Sequence, residues 1–205
     1  LFEGFEMLAE GINPSIIENV AKSAGMPIGP LAVADEVSIE LAYKINKQTE
    51  EDTGKKNDSK AIMVINKFVE ELDRTGKKAG KGFYEYPIGE KKYLWPELAK
   101  FFPLAEIQPD AETVKKRLLH IQALETVRCM EENVITSPKD GDLGSILGIG
   151  FPPYTGGALS YIDTLGMAKF VTECEQFTRK YGKRFRPSKR LKEMAEKEEK
   201  FYSPS

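Results

Sequence analysis

The sequence holds one histidine, His120, the side chain best suited to proton transfer near neutral pH. A local dyad would need a carboxylate on the same helix face. The residue four on is Leu124, and Glu125 lies about 140° around the helix, so no dyad forms locally and the residues point to a hydrogen-bonded or partly exposed helix position. The glycine- and lysine-rich run "GKKAGKG" (76–82) is not a phosphate loop of the Walker type. Its glycines stand one residue too close, and Gly82 occupies the place of the magnesium-binding Ser or Thr. "GIGFPP" (148–153) is not a dinucleotide fingerprint, because Pro153 takes the place of the third glycine and no strand precedes it. Cys129 and Cys174 have no metal-ligand spacing and read as reduced thiols. Glu70–Glu71, Glu131–Glu132 and Glu198–Glu199 lie beside lysines, as solvated helix faces do. Asp35 and Asp163 each sit in an apolar stretch and read as helix caps or as carboxylates held by turn amides. On residues alone the chain carries no self-sufficient catalytic set and no metal site.

The elements around these residues are helical. Asn13 and Pro14 start a helix that Gly25 stops. Residues 31–51 read as one further helix with Leu31, Val33, Ala34, Val37, Leu41 and Ile45 as its apolar stripe, and residues 60–74 as another. From Asp110 apolar residues recur every three or four positions to Val134, the mark of a long amphipathic helix. Two more helices follow residue 163. No β-α-β alternation occurs, so the expected class is all-α.

The 205 residues suffice for two small cores. A net charge of −2 gives no electrostatic case for nucleic acid, and no apolar run reaches membrane-spanning length. The N-terminal residues are acidic and amphipathic, unlike a signal peptide, and without an initiator methionine the chain reads as cut from something longer. Residues 9–38 and 131–166 share an order of features: an acidic helix end, a capped short helix, a Gly/Pro turn, and a helix bearing Asp35 or Asp163. A fainter echo links GKGFY (80–84) with GKRFR (182–186). The expected organisation is two tandem, pseudo-twofold copies of one helical unit, residues 1–90 and 110–205, joined by an irregular, proline-rich linker at 91–109.

"GMPIGPLAVADEVSIE", "RTGKKAGKGFYEY" and "RLLHIQALETVRCMEENVITSPKDGDLGSILGIGFPPYTGGALSYIDTLG" together resemble the C-terminal helical part of 3-hydroxyacyl-CoA dehydrogenases, in the duplicated form of the multifunctional fatty-acid oxidation enzymes. The resemblance spans essentially the whole chain. It implies a Rossmann domain upstream that binds NAD and carries the catalytic His-Glu dyad, with a hydratase domain further upstream. It places no catalytic, cofactor-binding or metal-binding residue in this chain. It implies that Gly25, Pro27, Gly29 and Pro30 face the Rossmann domain and help to close the acyl-CoA cleft. Leu147 stands where some bacterial members have a substrate-contacting tyrosine. Ser38 replaces the glycine usual after the first aspartate, while Gly166 keeps it. The partners implied are an acyl-CoA substrate, the upstream domain, a thiolase subunit and, for the isolated chain, a second copy. "FYSPS" is not a peroxisomal address, which favours the bacterial cytoplasm over peroxisomal or mitochondrial relatives. The competing reading is a helical scaffold or acyl-CoA-binding module with no dehydrogenase role.

Overall fold

Phe5, Met7 and Leu8 on α1 (Phe2–Ala9) are buried, and α1 packs against α5 (Lys60–Asn66), which buries Ile62, Val64 and Ile65. The Ser59 hydroxyl accepts the Ile62 amide and starts α5. The helix ends in a wider π turn, Lys67–Glu71, that places Phe68 in the core. Between them run α2 (Pro14–Ser23), α3 (Pro30–Val37) and α4 (Ile39–Thr53). The computed structural model describes residues 1–202.

The helix expected over 31–51 is two helices. Ser38 interrupts it with φ 76° and ψ 120°, a conformation that side chains rarely adopt. The break is held from outside: the Thr75 carbonyl accepts the Ile39 amide at 3.0 Å. The expected apolar stripe divides there as well. Leu31 and Ala34 are buried, while Val37, Leu41 and Ile45 are exposed.

Residues 91–109 are folded, not a free linker. Tyr93–Leu94 (β2) pairs antiparallel with Tyr84–Glu85 (β1), in the register Tyr84 to Leu94 and Glu85 to Tyr93. A short helix, α6 (Leu98–Phe101), follows, and Phe102 stacks on Phe68 at 6.0 Å. Gln108 accepts the Asn13 amide at 2.8 Å and donates to the Gly11 carbonyl at 2.9 Å. The chain accordingly forms two compact units: Leu1–Lys22 with Ile28–Ala111, and Ser23–Pro27 with the residues from Glu112 onward.

The second unit is built from α7 (Ala111–Glu131), α8 (Pro138–Ile149), α9 (Ala158–Leu165), α10 (Met167–Tyr181) and α11 (Lys189–Glu196). Its core contains Leu119, Leu124, Phe151, Leu159, Ile162, Phe170, Phe185 and Leu191. Both α3 and α9 have 8 residues, and both α4 and α10 have 15. Gly166 breaks α9 from α10 at φ 91° and ψ 126°, close to the angles of Ser38. The fold is all-α, with one short hairpin among the described residues.

Candidate functional site

Two buried carboxylates organise the first unit. Glu18, on α2, is 1% exposed. Its Oε1 accepts the Leu31 amide at the start of α3 at 2.8 Å, and its Oε2 accepts the Tyr84 hydroxyl at 2.7 Å. A negative group at that helix end satisfies an amide with no intrahelical partner and meets the positive end of the helix dipole. Gly29 lies directly against this carboxylate, and a Cβ there would overlap it. Asp35 sits near the end of α3, not at a helix start as expected. Its carboxylate accepts the Phe83 and Tyr84 amides, each at 2.9 Å, and the Tyr86 hydroxyl at 3.0 Å. Burial raises its pKa, opposed by the two amides, the Tyr86 hydroxyl and the Lys92 charge. Gly82 has to be glycine for the same reason as Gly29: a Cβ would overlap the Asp35 carboxylate. The GKGFY motif is thus a clamp on two acidic groups. Lys77 and Lys81 turn away to Glu36 and Asp73, each at 2.8 Å, and Lys78 is exposed.

The second unit repeats the wiring. Asp142, on α8, accepts the Leu159 amide at 2.6 Å, the Ser160 amide at 3.2 Å and the Tyr202 hydroxyl at 2.9 Å. Gly157 lies against it as Gly29 lies against Glu18. Asp163 accepts the Phe201 and Tyr202 amides, each at 3.0 Å. Phe201–Tyr202 thus give Asp163 the same pair of amide bonds that Phe83–Tyr84 give Asp35. GKRFR forms the separate turn Lys183–Phe185. The sequence does hold a second Phe-Tyr pair behind a lysine, in "EKFY" (199–202), beyond the segments 9–38 and 131–166.

The predicted site residues divide between the units. Gly29 and Pro30 start α3 in the first unit, and Pro30 packs on Gly4. Gly25 and Pro27 belong to the second. Gly25, at φ 94°, faces Pro152 and the Tyr154 ring, and Pro27 lies against Gly150, itself at φ 72°. Leu147 is 76% exposed on α8. The "GFPPYTGG" corner therefore receives Gly25 and Pro27 by packing.

His120 is fully buried, and the dyad missing from its own helix is made across the second unit. Its Nε2 meets Glu173 Oε2 at 2.9 Å, and its Nδ1 meets the Tyr161 hydroxyl at 3.2 Å. Lys116 pairs with Glu173 at 2.6 Å, and Phe170 stacks on the imidazole at 4.8 Å. Burial lowers the His120 pKa to about 4 against the pull of Glu173, so the ring is neutral near pH 7. The dyad is walled in by aromatic rings, and its chemistry is that of a satisfied core polar group. Among the described residues no group of His, Cys, Asp and Glu could hold a metal ion, and no helix is long and apolar enough to cross a membrane. What the first unit does leave open is an apolar groove along α4, lined by Leu1, Phe2, Val37, Leu41, Ala42 and Ile45.

The first unit thus combines internally satisfied carboxylates with an open apolar groove. Residues 1–86 match the 3-hydroxyacyl-CoA dehydrogenase C-terminal domain. The chain is 38% identical over 204 residues to the fatty acid oxidation complex subunit alpha of Shewanella baltica strain OS185, covering 98% of this chain and 28% of that protein. It is 38% identical over 205 residues to the same subunit of Shewanella halifaxensis, with the same coverage. It thus spans just over a quarter of the length of these curated relatives. Among solved structures it is similar in fold to 3-hydroxybutyryl-CoA dehydrogenase from Escherichia coli K12 (TM-score 0.69, 19% identity, 96% of this chain and 57% of that one). It is also similar to the dehydrogenase part of multifunctional enzyme 1 from C. elegans (TM-score 0.63, 17% identity, 93% and 44%).

Proposed function

We propose that this chain is the helical supporting part of an NAD-dependent 3-hydroxyacyl-CoA dehydrogenase of fatty-acid oxidation, multifunctional with an enoyl-CoA hydratase. In this reading the chain packs beside a nucleotide-binding domain and shapes the acyl-CoA cleft, and the oxidation of 3-hydroxyacyl-CoA to 3-oxoacyl-CoA is carried out elsewhere. The observation that carries it is the contrast just described. Glu18, Asp35, Asp142, Asp163 and the His120–Glu173 pair are all consumed by internal hydrogen bonds, while the α4 groove stays open in the unit that matches the family. A groove of that kind on a soluble protein marks an interaction surface.

The residues present do not fit NAD. The strands among the described residues are two residues long, and the glycines at 148 and 150 close a helix instead of opening one on a strand. The dinucleotide is assigned to the upstream domain. The shared wiring of the two units supports reading them as tandem copies of one helical unit. A thiolase subunit is the partner that this reading carries, since the relatives are named as one subunit of a complex. The bacterial cytoplasm is its compartment, and pairing of two isolated chains would bury the α4 groove.

The test is NADH production from 3-hydroxyacyl-CoA and NAD, with this chain alone and with the same chain extended upstream through a nucleotide-binding domain. Activity in the extended chain only is expected. Activity in the chain alone would overturn the reading. Tight acyl-CoA binding with no activity in either form would favour a carrier module.

A further inference from the structure

We propose that the second unit carries a socket for a Phe-Tyr peptide segment, which the chain's own residues 200–202 occupy and can leave without unfolding the unit. The socket has three parts. The Asp163 carboxylate accepts two consecutive backbone amides, those of Phe201 and Tyr202, each at 3.0 Å. Asp142 Oδ2 accepts the Tyr202 hydroxyl at 2.9 Å. The Phe201 ring packs on the core cluster that contains Ile162 and Phe170. A backbone, an apolar ring and a phenol are thus each met by a matching group, so the socket selects a Phe-Tyr pair. It is also built without the strap. Asp142 is 4% exposed, and its carboxylate is fixed from within α8 and α9 by the Leu159 amide and by the Ser160 amide and hydroxyl.

Two observations separate the strap from ordinary core structure. The first is the contrast with Phe83–Tyr84, which meet the same kinds of contact and are locked besides. The Phe83 carbonyl accepts the Trp95 amide at 2.9 Å, the Gly82 carbonyl accepts from Arg74 Nε at 2.8 Å, and the Phe83 ring is fully buried against Phe68 at 4.1 Å. Phe201 is only half-buried and Tyr202 is 39% exposed, so water can replace the amide and hydroxyl bonds as the strap lifts. The second is the joint from which the strap hangs. Glu198 ends α11 at φ 55°, in the left-handed place that glycine usually fills, and the Glu199 amide closes the helix on the Met194 carbonyl at 2.9 Å. The helix is therefore finished before residue 200, and lifting residues 200–202 breaks none of its own bonds.

The test begins with hydrogen exchange in the 205-residue chain. The Phe201 and Tyr202 amides are expected to exchange at least about a hundredfold faster than the Phe170 amide in the core of the same unit, as local opening does. Exchange of all three at one rate would mean that the strap leaves only when the unit unfolds, and the proposal fails. The chain is then shortened to end at Glu199, which keeps the bond that closes α11, and the peptide N-acetyl-Lys-Phe-Tyr amide is added in trans. A saturable rise in melting temperature and saturable shifts of the Ile162 and Asp163 amides are expected. The Lys-Ala-Ala peptide should give neither, and Lys-Phe-Phe, without the phenol, should bind about fivefold more weakly. Asp163→Ala in the shortened chain should abolish binding of the Phe-Tyr peptide. A shortened chain that no longer folds would make residues 200–202 part of the core and overturn the proposal, as would a folded one that does not distinguish Phe-Tyr from Ala-Ala.

Discussion

Asp35 and Asp163 accept the same two amides, from a Phe-Tyr pair, at the same point of the two units, yet they are held differently. Asp35 is 1% exposed and has a third donor in Tyr86, and its Phe-Tyr pair leads into a hairpin whose second strand and following residues cover the core. Asp163 is half-buried and holds Phe201 and Tyr202, and Tyr202 is 39% exposed. The same wiring is a core element in one unit and a surface strap in the other. What differs is the chain that follows the tyrosine. In the first unit, residues 86–102 return to bury the clamp; in the second, the described residues provide no such cover.

That comparison predicts unequal losses. Asp35→Ala leaves two buried amides and the half-buried Tyr86 hydroxyl unpaired and is expected to cost about 4 kcal/mol, against about 1 kcal/mol for Asp163→Ala, where water reaches the freed amides. Urea denaturation of the two variants measures both, and equal losses would break the distinction between core clamp and surface strap.

His120 gives the second unit a sensitivity to acid. Its pKa falls from 6.5 in the unfolded chain to about 4 in the folded one, so the unfolded state takes up the proton first. The contribution of the neutral ring is complete above about pH 6.5 and is lost as pH falls toward 4, about 3 kcal/mol over that interval. Amide exchange followed from pH 7 to 4 should show the core of the second unit loosening before that of the first. In His120→Phe this early step should disappear.

The tyrosines sharpen the contrast at smaller scale. Tyr84→Phe removes a donor from the buried Glu18 carboxylate and should cost about 1.5 kcal/mol. Tyr202→Phe, on the better-solvated Asp142 network, should cost about 0.5 kcal/mol. The smallest effect concerns the helix break that the units share. Ser38 and Gly166 adopt nearly the same angles, and only the glycine does so without strain. Ser38→Gly should stabilise the first unit by about 0.5 kcal/mol, the relief of strain being partly offset by greater freedom of the unfolded chain. Thermal melts would show it, and a loss of stability would mean that the Thr75 contacts of Ser38 matter more than its backbone.

The sequence by itself determined the helical class and the places of many helix ends and corners. These are local properties: apolar spacing, caps at Ser59, Ser137 and Ser188, and glycine and proline at corners fix helices from within a few residues. It also marked Asp35 and Asp163 as helix caps or carboxylates held by turn amides, because an acidic residue in an apolar stretch needs such partners. Only the tertiary structure decided which amides those were. Phe83 is 48 residues from Asp35, and Phe201 is 38 from Asp163, distances over which no periodicity reports contact. The same holds for the Glu173 partner of His120, 53 residues away on α10. It holds too for the break at Ser38, imposed by the Thr75 carbonyl on a segment whose own pattern was that of one continuous helix. Helix content is encoded locally. Which polar groups are consumed and which apolar face stays open is settled by what the rest of the chain brings against them.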